Sequence, residues 1–209
     1  MTMSVKNKGE NMRGILFVLS GPSGTGKGTV CAEILEREDD LSISVSYTTR
    51  EKRAGETEGK TYCYVTKDEF ESMIDRDEVL EYALYNGNYY GTPKNAVEKL
   101  LSQGKDVMLE IEPQGALQVK KLFPEAVLIF LIPPSMSELK RRLITRGRES
   151  EEEISHRIET AKWELNQADK YSVLIENDDL DKCVCDVMDY INMKRNEKTK
   201  IDNLIKENI

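Results

Sequence analysis

The chain has 209 residues, 39% of them hydrophobic and 33% charged, with a formal net charge of −8. That length exceeds the commonest domain size yet falls short of two full domains, so one core carrying insertions is expected. A bulk-acidic chain is a poor non-specific ligand for nucleic acid or an anionic membrane, and any anionic ligand must be met by local clusters of Arg and Lys.

In chain order, the opening MTMSVKNKGENMRG is polar, and no run of ~18 apolar residues occurs anywhere, so a cytoplasmic location without signal peptide or membrane segment is expected. GILFVLS (Gly14 to Ser20) is short and almost purely apolar, as a strand buried on both faces requires, and it feeds a glycine loop and the helix-like TVCAEILERE. SISVSYTTR alternates like a half-exposed strand and opens a tract rich in Tyr, Thr, Gly and charge, read as an inserted lobe over 46–93. KDVMLEI (Lys105 to Ile111), AVLIFLIPP (Ala126 to Pro134) and YSVLIEN (Tyr171 to Asn177) are further buried-strand candidates. Strands alternating with helices predict a parallel β-sheet wrapped by helices, an α/β core drawn from 13–45, 94–136 and 166–192. Segment 137–165 interleaves Arg and Glu with too little apolar content for core, although Ser150 and Glu153 have capping-box spacing and Ile154, Ile158 and Leu165 form a stripe. Residues 1–12 read as a polar tail, and 193–209 as a frayed polar helix. Cys31, Cys63, Cys183 and Cys185 include no C-x-x-C pair, and with His156 as the one histidine they form no zinc set; reduced thiols are expected.

The stretch SGPSGTGKGTV (Ser20 to Val30) follows a buried strand and precedes a helix. Its glycines let successive backbone N–H groups turn inward on phosphate oxygens, the helix N-terminus adds partial positive charge, and Lys27 supplies a mobile cation. The usual G-x-x-x-x-G-K motif continues with Ser or Thr, whose hydroxyl ligates Mg²⁺; here Gly28 takes that place. Thr29 is rotated about 100° along the helix and cannot substitute. The metal is then expected to be held by nucleotide phosphates, water or a carboxylate elsewhere, with no motif marking a direct protein ligand.

TTREKRAGETEGKTY sets Arg50 and Arg53 close together, with Glu56 and Tyr62 beyond. Two guanidinium forks and a phenol suit a dianionic phosphate, though the arginines alone fit a solvated charge cluster equally well. VLEYALYNGNYYGTP adds Glu81, Tyr90 and Thr92. A carboxylate beside hydroxyls matches the N1 and N2 donors of guanine, whereas the N1 acceptor of adenine would repel it.

From about Gly14 to about Met188 the chain resembles the guanylate kinase family of ATP:GMP phosphotransferases, carrying in order SGPSGTGKGT, the TTR to KTY stretch, GNYYGT, EIEPQG, PPS, RGRESEEEI and ENDDL. The resemblance implies a P-loop nucleoside monophosphate kinase fold, with 46–93 as a GMP-binding lobe and 137–165 as a helical lid. It implies that Gly21, Pro22, Ser23, Gly24, Thr25, Gly26, Lys27, Gly28 and Thr29 hold the ATP phosphates. Arg50, Arg53, Tyr62 and Tyr90 would grip the GMP phosphate, Glu56 would orient the arginines, and Ser46, Glu81 and Thr92 would read guanine, with Glu110 also on the GMP side. Arg142, Arg146 and Arg157 match lid arginines that close over the transferring group, joining Lys27 and Arg50 as the catalytic set. Mg²⁺ would arrive with ATP, the acceptor would be GMP or dGMP, and the protein would be a monomer or homodimer. Two features depart from the family pattern: Glu112, followed by Pro113, stands where Asp is expected, and Arg148 is an extra lid cation. Asn177 and Asp178 lie in the stretch that matches the family's adenine contacts. A catalytically silent scaffold of this fold typically loses the loop that is intact here, and a GTPase switch would need an N-K-x-D motif. Glu81 argues against a kinase for another nucleotide.

Overall fold

A computed structural model describes residues 13–85, 87–145 and 150–208. β1 (Leu16–Ser20) is buried along its whole length and divides its side chains between two covered faces. Leu16 and Val18 join one core cluster, and Phe17 and Leu19 join the other. Two covered faces are why the run shows no polar alternation. β1 lies at the centre of a five-stranded parallel sheet, between β7 (Asp106–Glu110) and β8 (Val127–Ile132), with β2 (Leu41–Ile43) and β9 (Val173–Glu176) at the edges.

α1 (Lys27–Arg37) and α7 (Leu180–Glu207) cover one face through Val30, Ile34, Val184 and Val187; α3 (Lys94–Ser102) and α4 (Pro113–Leu122) cover the other through Val97, Leu101, Ala116 and Val119. All five strands run the same way, so the segments that leave β1, β7, β8 and β9 gather at one edge, where α/β sheets carry their ligand sites.

A second, four-stranded sheet has the order β4 (Cys63–Tyr64), β3 (Tyr47–Thr48), β6 (Asn88–Pro93), β5 (Val79–Tyr85). The stretch SISVSYTTR is therefore not one strand: Ser42 and Ile43 belong to β2 beside β7, and Tyr47 and Thr48 belong to β3 beside β6. Alternation survives the switch of sheets, because it reports half-burial and not the identity of the partner strand. β5 ties the second sheet to the first: Leu80 enters the core, and Gln118 of α4 donates to the Tyr82 carbonyl (3.2 Å). α2 (Lys67–Asp75) starts at a Thr66–Glu69 capping box and buries Phe70, which stacks on Tyr89 at 5.0 Å between ring centres.

α5 (Met136–Thr145) and α6 (Glu151–Leu165) follow β8, and the Ser150–Glu153 capping box starts α6. Their charged sequence conceals a buried seam of its own, formed by Leu139, Leu143, Ile154 and Ala161. Leu165 instead packs on the main core. The C-terminal stretch is likewise different from a separate frayed helix, since α7 runs unbroken to Glu207. Arg195 anchors that extension, pairing with Asp106 (2.7 Å) and Glu38 (3.2 Å), while Asp106 also accepts the Ile15 N–H. Both carboxylates are distant in sequence, Asp106 by 89 positions, so a local reading of polarity cannot detect the anchor.

Candidate active site

The loop after β1 has a backbone that its glycines make possible. Gly26 has φ 93°, and a Cβ there would stand 2.6 Å from Asn177 Nδ2; Gly21 has φ 147°, and a Cβ there would meet the Leu131 carbonyl oxygen at 2.3 Å. Thr25 is fully buried, with its hydroxyl donating to the Pro22 carbonyl (2.8 Å), so it shapes the loop from within. Lys27, the first residue of α1, is 7% exposed and donates to the Gly21 carbonyl (2.6 Å) and to Glu112 Oε2 (3.1 Å). Glu112 thus has a place that its departure from the family pattern had left open: it occupies the N-cap position of α4 without a side-chain cap bond and spends its carboxylate on the loop lysine.

Gly28 has its own neighbour. A Cβ on it would lie 3.3 Å from Glu110 Oε1, so the carboxylate at the end of β7 stands where a Ser or Thr side chain would project. Partial enclosure in the cleft and the Glu112 charge raise the Glu110 pKa, and Lys27 opposes that shift.

Asn177 follows β9 and is buried; its amide donates to the Thr25 carbonyl (2.7 Å), its N–H donates to the Ile132 carbonyl, and its own carbonyl accepts Arg142 Nη2 (2.9 Å). Arg142 is further held by Glu138 (2.8 Å) across one turn of α5. From α6, Arg157 Nη1 donates to Ser23 Oγ (3.2 Å). Arg146 and Arg148 lie outside the described residues.

The second sheet carries the other cluster. Arg50 and Glu56 pair at 2.7 Å with side chains only 11% and 17% exposed, and Glu56 also accepts the Arg53 N–H and the Tyr64 hydroxyl, both at 2.7 Å. These donors, with Arg50 foremost and Tyr64 next, hold the Glu56 carboxyl down at about 2. The Arg50 guanidinium lies 5.5 Å from the Tyr62 ring centre, and Tyr62 meets Tyr90 edge-on at 5.9 Å. Tyr64 could not be singled out from the sequence, where it is one tyrosine among several. The Arg53 side chain is exposed, so its guanidinium is available to a ligand.

Below this cluster Glu81 is 5% exposed and accepts the Thr92 hydroxyl at 2.6 Å. Burial raises its carboxyl to about 7 against the pull of the Thr92 hydrogen bonds, and the Glu112 charge adds to the rise. Gly115, inside EIEPQG, leaves the room for it: a Cβ there would stand 2.3 Å from Glu81 Oε2. Ser46 leads into β3 and accepts the Cys63 N–H through its carbonyl (2.9 Å). Glu110 stands beside the loop at Gly28, and in the second sheet burial first and the Glu110 charge next raise the Tyr62 hydroxyl pKa.

A glycine loop between a buried parallel strand and a helix, with arginines from a helical pair leaning over it, defines a P-loop nucleoside monophosphate kinase fold. A family model described as guanylate kinase matches residues 13–194. The guanylate kinase of Oceanobacillus iheyensis is 50% identical over 189 residues, covering 90% of this chain and 92% of that one, and a guanylate kinase of Thermus thermophilus is 52% identical over 186 residues, covering 89% and 83%. The crystal structure of guanylate kinase from Anaplasma phagocytophilum superposes with a TM-score of 0.72 at 32% identity, covering 88% of this chain and 87% of that one. The chain belongs to the guanylate kinase family.

Proposed function

We infer that the two clusters divide the work of the family reaction, ATP-dependent phosphorylation of GMP to GDP. The loop from Gly21 to Thr29 takes the ATP phosphates, and the Arg50 cluster takes the phosphate of GMP. The observation that carries this reading is that each cluster presents a cation already held by a carboxylate, Lys27 on Glu112 (3.1 Å) beside the loop and Arg50 on Glu56 (2.7 Å) in the second sheet.

The acceptor phosphate is the nucleophile. As a dianion at neutral pH it has no proton to give up, so no general base is needed. One of its oxygens bonds to the γ-phosphorus while the bond from that phosphorus to the β–γ bridging oxygen breaks, and ADP leaves. Arg50, Arg53, Tyr62 and Tyr90 aim that oxygen, and Glu56 fixes Arg50 before GMP arrives, which lowers the cost of ordering the site. Lys27 exchanges Glu112 and the Gly21 carbonyl for phosphate oxygens. Arg142, Arg146 and Arg157 meet the charge that spreads over the transferring group, and closure of 137–165 over the cleft keeps water from ATP. Ser46, Glu81 and Thr92 read guanine, with an ionised Glu81 accepting its N–H groups.

Mg²⁺ fits this donor set as a companion of the nucleotide. Among the described residues no group of three acidic, Cys or His side chains could hold it alone, and Glu110 and Glu112 bring hard oxygen donors to the loop, Glu110 beside the position that lacks a hydroxyl. Glu110 would meet the water shell of the ion, which, when bound, neutralises phosphate charge. The lobe boundaries 46–93 and 137–165, a cytoplasmic site of action and use of dGMP belong to the same proposal.

The test is ADP formation from Mg·ATP with GMP, dGMP, AMP, CMP or UMP, for wild type and for Lys27→Ala. Turnover with GMP and dGMP alone, lowered by about 10³-fold or more in the variant, is expected. Equal turnover with AMP would overturn the base-reading role of Glu81.

A further inference from the structure

α6 meets the phosphate loop at two points on one residue. Arg157 donates to Ser23 Oγ (3.2 Å), and seven residues further on, close to two turns and hence on the same face, Glu164 is buried where the Ser23 backbone N–H draws its carboxyl pKa down. Next to Ser23, a Cβ on Gly24 would stand 3.0 Å from Leu139 and from Leu143 of α5, so the seam of this helical pair rests on the loop.

Glu164 is an expensive residue in this position. It is 4% exposed, and its Oε2 has no hydrogen-bond partner among the described residues. The charged and titratable groups that face it are Lys27 from α1, Glu112 ahead of α4 and Tyr171 ahead of β9. Burial, with the Glu112 charge second, pushes its carboxyl up to about 7 against the pull of Lys27 and the Ser23 amide. An apolar side chain of similar volume would cost folding less, so a half-satisfied carboxylate at a phosphate loop requires an explanation in the working enzyme.

We propose that Glu164 is a positioning residue for phosphoryl transfer, holding the base of α6 against the Ser23 amide and so fixing the pivot from which Arg157 reaches phosphate. The proposal rests on the ATP site inferred above. With the base of the helix held, Arg157 gives up Ser23 Oγ and travels a short arc to the transferring group. With the carboxylate gone, the base slides along the loop, the guanidinium arrives out of place, and water competes with GMP.

The test compares Glu164→Leu, which fills the volume without an acceptor, with Glu164→Gln, which keeps an acceptor and removes the charge, both at pH 8. Glu164→Leu is expected to lower kcat about tenfold or more with the KM for GMP unchanged, and to raise ATP hydrolysis without GMP relative to transfer. Its Tm is expected to equal or exceed that of wild type. Glu164→Gln is expected to recover most of the lost turnover. Wild-type kcat in Glu164→Leu overturns the proposal, as does a Glu164→Gln variant no better than Glu164→Leu. Glu164→Ala replaces the leucine variant if that fails to fold, and failure of both makes the carboxylate a folding determinant, which also overturns the proposal. A wild type that phosphorylates no GMP would instead bring down the reading on which the proposal rests.

Discussion

The parallel sheet and the four-stranded sheet hold their anion sites by different means. On the first, the proposed phosphate site is made of backbone: β1 is buried throughout, and the loop after it owes its shape to glycine torsions and to carbonyls that bond within the loop. On the second, the flanking strands β3 and β4 have two residues each, and the site consists of side chains that hold one another, Glu56 gathering Arg50, Arg53 and Tyr64. A backbone site is rigid and indifferent to small changes in its neighbours. A side-chain site can be tuned residue by residue, which suits the half of the enzyme that must choose its acceptor.

The sharpest way to break the contrast is Glu56→Gln. Removing the charge that Arg50 pairs with should raise the KM for GMP by about tenfold, because the guanidinium must then be ordered by the ligand itself, while the KM for ATP stays within about twofold. Steady-state kinetics with each substrate varied checks this; a matching rise for ATP would mean that the two sites are not separable.

A smaller effect concerns pH. Glu81 has a folded-state pKa of about 7, above its usual 4.5, so its burial costs no stability below about pH 4.5 and the full amount above about pH 7. The Tm of Glu81→Gln should therefore gain on that of wild type as pH rises from about 5 to about 8. Over the same range the KM of wild type for GMP should fall a few-fold as the carboxylate ionises and accepts guanine N–H groups. Parallel Tm profiles for the two proteins would show that Glu81 is ionised throughout.

The smallest change is expected from Gly28→Ser. The new Cβ would sit 3.3 Å from Glu110 Oε1, so the carboxylate must yield by a few tenths of an ångström. Tighter Mg²⁺ dependence with kcat changed less than about threefold is expected, since Mg²⁺ gains an oxygen ligand while the loop backbone is undisturbed. A metal titration of turnover with no change would remove the account of the missing hydroxyl.

What the sequence made legible follows the same division. β1, β7 and β8 read as buried strands because unbroken apolar runs leave little else for them to be; YSVLIEN forms a strand as well, but β9 is an edge in which only Ile175 is buried, and the phosphate loop reads from its glycines because other residues rarely take those torsions. The Ser150–Glu153 cap was legible because it is local. Contacts across the fold were not. Nothing near Glu112 in sequence announces Lys27, 85 positions away, and Asn177 and Thr25 are 152 apart. Glu164 sits in a helix whose other glutamates face water, so its burial appears only once α6 is laid on the loop.

Asn177 has an evolutionary consequence. Its side chain, N–H and carbonyl answer separately to the phosphate loop, the end of β8 and Arg142. A substitution there is felt in three places at once, so its effect depends on what stands at each of them. Replacements at Asn177 should thus be acceptable only in company, and the residue ought to act as a centre of epistasis, where changes that are harmless singly become costly or restorative in pairs.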